Sequence, residues 1–168
     1  ITLIKKGQVG NGEANETLSG VTFKLYKFVG TKNDGKISPF TTTNYTNEEE
    51  TTKEWKQIKK SSTAAGDNTG AEIGTGGLLT TGSEGSDLGK ITVSGLSAGY
   101  YCFVEQDVGN NKAFIADQTP HYFEVKGKDS QEITVTNDGK VMEKAGSPAA
   151  ANLELTVTAP RPDVEKKV

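Results

Sequence analysis

Thr17-Leu-Ser-Gly-Val-Thr-Phe-Lys-Leu-Tyr-Lys27 is the stretch whose reading decides the fold. Val21, Phe23 and Leu25 fall on one side of an extended chain, and Thr22, Lys24 and Tyr26 on the other. Side chains alternate across a strand with a period of two, so this segment is a half-buried strand with one wet face. The same pattern recurs on either side of it. Upstream, Ile1-Thr-Leu-Ile-Lys-Lys6 puts Ile1, Leu3 and Lys5 on one face, and residues 7–12 form a turn region. Downstream come Lys90-Ile-Thr-Val-Ser94, a turn at Gly95-Leu-Ser-Ala-Gly99, Tyr100-Tyr-Cys-Phe-Val-Glu105, His121-Tyr-Phe-Glu-Val125, Glu132-Ile-Thr-Val-Thr136 and Asn152-Leu-Glu-Leu-Thr-Val-Thr158. Asn33-Asp-Gly35 and Asn137-Asp-Gly-Lys140 supply tight-turn chemistry between runs.

These segments predict an all-β protein, an antiparallel immunoglobulin-like or prealbumin-like sandwich of about seven to nine strands. It spans residues 1–159, with 160–168 a linker or the start of a further domain. Residues 40–89 break the pattern and read as an insertion. Within it, Asn47-Glu-Glu-Glu-Thr-Thr-Lys-Glu-Trp-Lys-Gln-Ile-Lys-Lys60 predicts one short helix. Thr46 or Asn47 would cap it, with Glu49 or Glu50 completing a capping box. Acids in its first turn and lysines in its last suit the helix dipole, and Trp55 and Ile58 would anchor it to the sheet. Residues 61–89 are rich in Gly, Ser, Thr, Asp and Asn, and read as a long loop with at most one weak strand.

Composition narrows the function. The chain has 168 residues and a net charge of -3, which argues against nucleic acid or an anionic membrane as a partner. No apolar run approaches the roughly 20 residues of a membrane span. The single Cys102 cannot form an intrachain disulfide, and one Cys with one His is too few for a zinc site of the Cys/His type. No Gly-x-Ser-x-Gly surrounds a serine, and Gly74, Gly76 and Gly77 run into Leu78-Leu79-Thr80 rather than a phosphate-binding Lys-Ser/Thr. Turnover catalysis, metals and cofactors are therefore not expected.

Two charges do not fit the sandwich. Lys5 is in phase with Ile1 and Leu3, and Glu105 with Tyr101 and Phe103. A lone buried ammonium or carboxylate costs several kcal/mol. Burial favours the neutral form of both groups, so a close pair can exchange a proton and leave a free amine, which is a nucleophile. With an Asn or Asp side chain alongside, the amine could attack its carbonyl while Glu105 carries protons, giving a Lys-Asn isopeptide bond and ammonia. The competing reading has Lys5 snorkelling outward and Glu105 at a frayed sheet edge.

Ile1-Thr-Leu-Ile-Lys5, Leu18-Ser-Gly-Val-Thr-Phe-Lys-Leu-Tyr26 and Gly95-Leu-Ser-Ala-Gly-Tyr-Tyr-Cys-Phe-Val-Glu105 together resemble the Cna protein B-type domains of Gram-positive surface adhesins and sortase-assembled pilins. The resemblance implies that Lys5 is an isopeptide donor, Glu105 its catalytic acid, and an Asn or Asp near the last strand the acceptor. Ile133-Thr-Val-Thr-Asn137 resembles the family's closing strand and makes Asn137 that acceptor. Asn137-Asp-Gly139 also reads as a hairpin tip. In that case Leu153 to Thr158 closes the fold, and the acceptor position falls near Thr158, Ala159 or Pro162, none of which can form the bond. Asn152 is a further acceptor to consider.

The tail, Pro160-Arg-Pro-Asp-Val-Glu-Lys-Lys-Val168, resembles the junction between the first two domains of backbone pilins. There a Tyr-Pro-Lys-Asn motif supplies the lysine that sortase joins to the next subunit; here Arg161 stands in its place. The resemblance implies an extracellular, cell-wall location, with other pilin subunits or the cell wall as partners through sortase. A second functional reading is a host-binding module in which the 40–89 insertion, with Tyr45 and an exposed Trp55, contacts protein or glycan. Cys102 and His121 read as structural strand residues, and Glu48 to Glu50 as acids of the helix start.

Overall fold

The computed structural model describes residues 2–7, 16–33, 37–47, 52–61, 70–111, 114, 116, 119–126, 132–137, 140–144 and 154–159, the last three segments by backbone and pairing. In these residues the chain is built of strands: β1 Thr2–Gly7, β2 Glu16–Thr17, β3 Thr22–Phe28, β4 Tyr45–Thr46, β5 Trp55–Gln57, β6 Leu78–Thr80, β7 Lys90–Thr92, β8 Gly99–Asp107, β9 His121–Lys126, β10 Glu132–Asn137, β11 Lys140–Lys144 and β12 Glu154–Ala159. A single 3-10 turn, Gly85–Asp87, interrupts them.

They form two sheets. The smaller has the order β12-β1-β2, with β7 also paired to β1; the larger runs β11-β10-β9-β8-β3-β5-β4, with β6 also on β3. Pairing is antiparallel except for β12 beside β1 and β4 beside β5. The all-β sandwich is thus as expected. The additional strands beyond about nine are short pieces within or beside the insertion. β10 and β11 pair antiparallel, with Asn137 opposite Lys140.

The core between the sheets follows from the period-two patterns. Leu3 of β1, Val21, Phe23 and Leu25 around β3, Ile91 of β7, Tyr101 and Phe103 of β8 and Phe123 of β9 form one buried cluster. Phe23 meets Phe103 edge-on, and Phe103 and Tyr101 stack on Phe123. Thr81 closes the rim of this cluster, accepting a hydrogen bond from Val21 N and donating one to Leu18 O.

Two expectations are corrected, the helix of the insertion and the wet face of β3. The helix over 47–60 is absent from the described residues 52–60, where Trp55–Gln57 is a strand paired with Tyr26–Phe28. Its acids at the start and lysines at the end suited a helix dipole worth only about 0.3–1 kcal/mol. Burying Trp55 against an available sheet edge outweighs that. Trp55 and Ile58 are accordingly both buried but in different clusters, as residues three apart on an extended chain must be. The wet face of β3 is wet at one end only. Tyr26 and Phe28 lie under a second cluster with Ile37, Trp55, Cys102, Val104 and Tyr122, flanked by Phe40, Tyr45 and Tyr100. Finally, residues 70–89 are laced by backbone hydrogen bonds, Ile73 N to Lys59 O and Gly82 N to Lys90 O among them, and contribute Ile73 and Leu79 to the core. Their one strand among the described residues is the three-residue β6, which fits a long loop with one weak strand.

Candidate functional site

Lys5 is the fourth residue of β1, a strand whose burial alternates so that Leu3 and Lys5 turn inward and Ile4 and Lys6 do not. Backbone bonds pin it on both sides: Lys5 N donates to Gly89 O at 2.9 Å, and Leu18 N donates to Lys5 O at 3.0 Å. Gly89 has a φ of +71°, and a Cβ there would strike the Thr17 methyl, so the carbonyl that holds Lys5 depends on a glycine. Glu105 comes from β8, the long central strand of the other sheet, opposite Phe23 of β3 and two residues beyond Phe103. The fold brings the two charges face to face across the core. Lys5 Nζ lies 2.6 Å from Glu105 Oε1, and both side chains are 0 % exposed. The snorkelling alternative for Lys5 is excluded by that burial.

This geometry is costly for ions. Two charges removed from water lose several kcal/mol of solvation each, and one contact regains this only if the remaining donors and acceptors are satisfied. Beyond Glu105, Lys5 Nζ has no hydrogen-bond acceptor among the described residues. Transfer of one proton from the ammonium to the carboxylate removes both charges and keeps a hydrogen bond between acid and amine. The arrangement therefore holds a potential nucleophile beside a proton carrier in a dry interior.

Asn137 stands elsewhere in the topology. It ends β10, opposite Lys140, in the sheet that carries Glu105 and not in the one that carries Lys5. The strand beside β1 is β12, which aligns Val157 with Lys5 and, over Glu154-Leu-Thr-Val-Thr-Ala159, carries no carboxamide. Asn152, Glu48 to Glu50 and residues 160–168 lie outside the described residues.

The other singled-out side chains are packed. Cys102 is buried between its register partners Tyr26 and Tyr122, and burial pushes its thiol well above the ordinary range. His121 is half-buried opposite Phe103. Trp55, a sheet anchor in the helix reading and exposed only in the host-binding one, is 0 % exposed and donates its indole N–H to Ser38 O. Tyr45 stacks on Phe40, and both lean on Tyr26, whose hydroxyl donates to Asn47. Sequence reading missed the joint role of Phe40 and Tyr122, whose hydroxyl accepts from Phe40 N. The crowding of aromatics at 40, 45 and 55 was the available signal. No group of His, Cys, Asp or Glu among the described residues could hold a metal ion.

Residues 1–139 match the family model of the SpaA prealbumin-like fold domain. The chain belongs to that family. No curated protein matches this SpaA-type chain. Among solved structures, it is similar to the pilus 2b backbone protein of group B streptococcus, with 20 % identity and a TM-score of 0.42, over 98 % of this chain and 42 % of that one. It is also similar to the SpaE basal pilin of Lactobacillus rhamnosus GG, with 16 % identity and a TM-score of 0.41, over 94 % and 48 %. A second crystal form of SpaE aligns at 15 % identity and a TM-score of 0.39, over 95 % and 46 %. The SpaA-type chain thus spans less than half the length of each of these proteins. None of its described helices is long and apolar enough to cross a membrane.

Proposed function

We propose that this chain is a structural module of a Gram-positive cell-surface pilin or adhesin, of Cna B-type kinship. In this reading Lys5 and Glu105 are the donor and proton carrier of a self-made amide crosslink to Asn137. The observation that carries it is the sealed 2.6 Å contact between Lys5 Nζ and Glu105 Oε1. The amine lone pair attacks Cγ of the Asn137 carboxamide; the Nζ–Cγ bond forms and the Cγ–Nδ2 bond breaks. Glu105, protonated in the neutral pair, gives its proton to the departing nitrogen, which leaves as ammonia, and takes in its place the proton shed by Nζ. One amide replaces another, the acid is regenerated, and the reaction runs once without a cofactor. The module would work outside the cell, joined to other pilin subunits or to the cell wall by sortase.

A second reading keeps the architecture without the bond. It is favoured by β12, which lies beside β1 and offers Val157 at the level of Lys5. The amine and the acid then remain a non-covalent contact. A third, in which the 40–89 insertion binds a host protein or glycan, loses its main contact residue because Trp55 is buried.

Peptide mapping under denaturing conditions separates these readings. The crosslink predicts one branched peptide joining Lys5 to the segment that carries Asn137, absent from Glu105→Ala. A branch to the Asn152 segment would move the acceptor, and linear peptides throughout would leave the second reading.

A further inference from the structure

The end of β1 holds a position with no side chain of its own. Gly7 follows Leu3 and Lys5 on the inward face of the strand and is buried. A Cβ at Gly7 would overlap the ring of Phe114, whose Cε1, Cζ and Cδ1 are the three nearest atoms. The backbone of Gly7 is not in the left-handed region, so the ring and not the chain conformation excludes a side chain there. Phe114 therefore fills the inward place next to Lys5, on the side away from Leu3. It packs against the cluster that holds Leu3, Leu18, Phe23 and Phe103. Being half-buried, the ring has the core on one side and water on the other.

The chain delivers Phe114 to this place by a fixed route. β8 runs past Glu105 to Asp107, which is exposed, and is followed by Val108, which is buried. Gly109, at a φ of +63°, lies so close to Gly20 that a Cβ would overlap the Gly20 carbonyl oxygen. Asn111 donates from its side-chain nitrogen to Ser19 O and Val108 O, both at 2.7 Å, and its carbonyl accepts from Phe114 N at 3.0 Å. Ser19 and Gly20 adjoin Leu18, whose N–H is bonded to Lys5 O. The segment that leaves the strand of Glu105 is thus tied to the neighbour of Lys5 before it lays its ring on Gly7.

We propose that Phe114 is the water seal of the Lys5–Glu105 pair, a positioning residue that keeps this end of the core dry by occupying the side-chain place Gly7 leaves empty. What the seal serves rests on the crosslink proposed above. Water reaching the pair would solvate its ions and favour them over the neutral amine that attacks. The seal itself stands on the contact between Gly7 and Phe114.

The test follows the amine. In a Glu105→Gln chain, which keeps Lys5 uncrosslinked, acetic anhydride followed by peptide mapping should modify Lys5 far more slowly than the exposed Lys32. Phe114→Ala in that background should speed Lys5 modification about tenfold or more, as for a group whose reaction needs local opening. Cys102, in the other cluster, should stay unreactive. Adding Gly7→Leu should return Lys5 to its slow rate, because a side chain at position 7 refills the place of the ring. Unchanged Lys5 labelling in Phe114→Ala, a parallel rise at Cys102, or no recovery with Gly7→Leu overturns the proposal. Should Phe114→Ala fail to fold, Gly7→Ala, which sets a methyl in the ring's place, must give the same rise. In chains that keep Glu105, intact mass followed over time after cell-free synthesis tests the purpose. Phe114→Ala should lose ammonia more slowly than the wild type, and an equal rate shows that the seal does not serve the reaction. A wild type that never loses ammonia contradicts the crosslink, and the Lys5 labelling still decides the seal.

Discussion

A salt bridge at a surface and the Lys5–Glu105 contact share a distance criterion and little else. The exposed kind contributes at most about 1 kcal/mol, whereas removing one partner of a buried pair costs about 3–5 kcal/mol because the other is left uncompensated. Glu105→Ala should therefore unfold well before the double variant Lys5→Met/Glu105→Leu, in which neither charge remains. Both lack the crosslink, so denaturant titration of the two isolates the stranded amine, with a gap of about 3–5 kcal/mol expected and no gap counting against a sealed pair. Tyr26 gives a second residue-level expectation. Burial, and next the neighbouring Tyr45, push its phenol well above its ordinary 10.0. The unfolded chain then ionises this group first as alkali is added. The stabilisation it contributes is complete below about pH 10 and is lost as the pH rises above that value. Ultraviolet titration should show one tyrosine ionising only with the unfolding transition. Both charged residues of the site were legible from phase alone, since Leu3 and Phe103 set the parity. Their meeting was not, because parity places a residue on a face and says nothing of which strand lies across the core.

At the scale of elements, the strands with clean alternation were recognisable and those of the insertion were not. Trp55-Lys-Gln57 is three residues long, and its flanking charges fit a helix well, so only the presence of the β3 edge reveals it as a strand. Sequence reading likewise treated Tyr26 as solvent-facing, since the aromatic cover supplied by Phe40, Tyr45 and Trp55 arrives from a distant segment. The insertion is thus a second core laid on the outer face of the larger sheet. Trp55→Ala should remove about 3–5 kcal/mol of stability. It should also open Cys102, which shares that cluster, to thiol reagents that leave the wild type unlabelled. Rapid labelling of the wild type would show that the cover is not closed.

For the whole molecule, the topology makes β1 the central strand of its sheet, with β12 on one side and β2 and β7 on the other. The first strand thus depends on one of the last for an entire edge, and no disulfide is available to fix it in a chain with one cysteine. An amide between Lys5 and Asn137 would close a loop of roughly 130 residues, contributing on the order of 5 kcal/mol by the chain-entropy model. It would also tie the two sheets together, so that tension on β1 bypasses its hydrogen bonds. The closing position of β12 was one of two readings left open by the sequence, and a parallel strand added after a hairpin has no local signature to settle it. What the account rests on is that the amine of Lys5 condenses with a carboxamide while the acid of Glu105 carries the protons, and the intact mass of the denatured protein measures that directly. The account predicts a wild type lighter than its sequence by one molecule of ammonia and a Glu105→Ala variant at its full calculated mass; a wild type at full mass would contradict it.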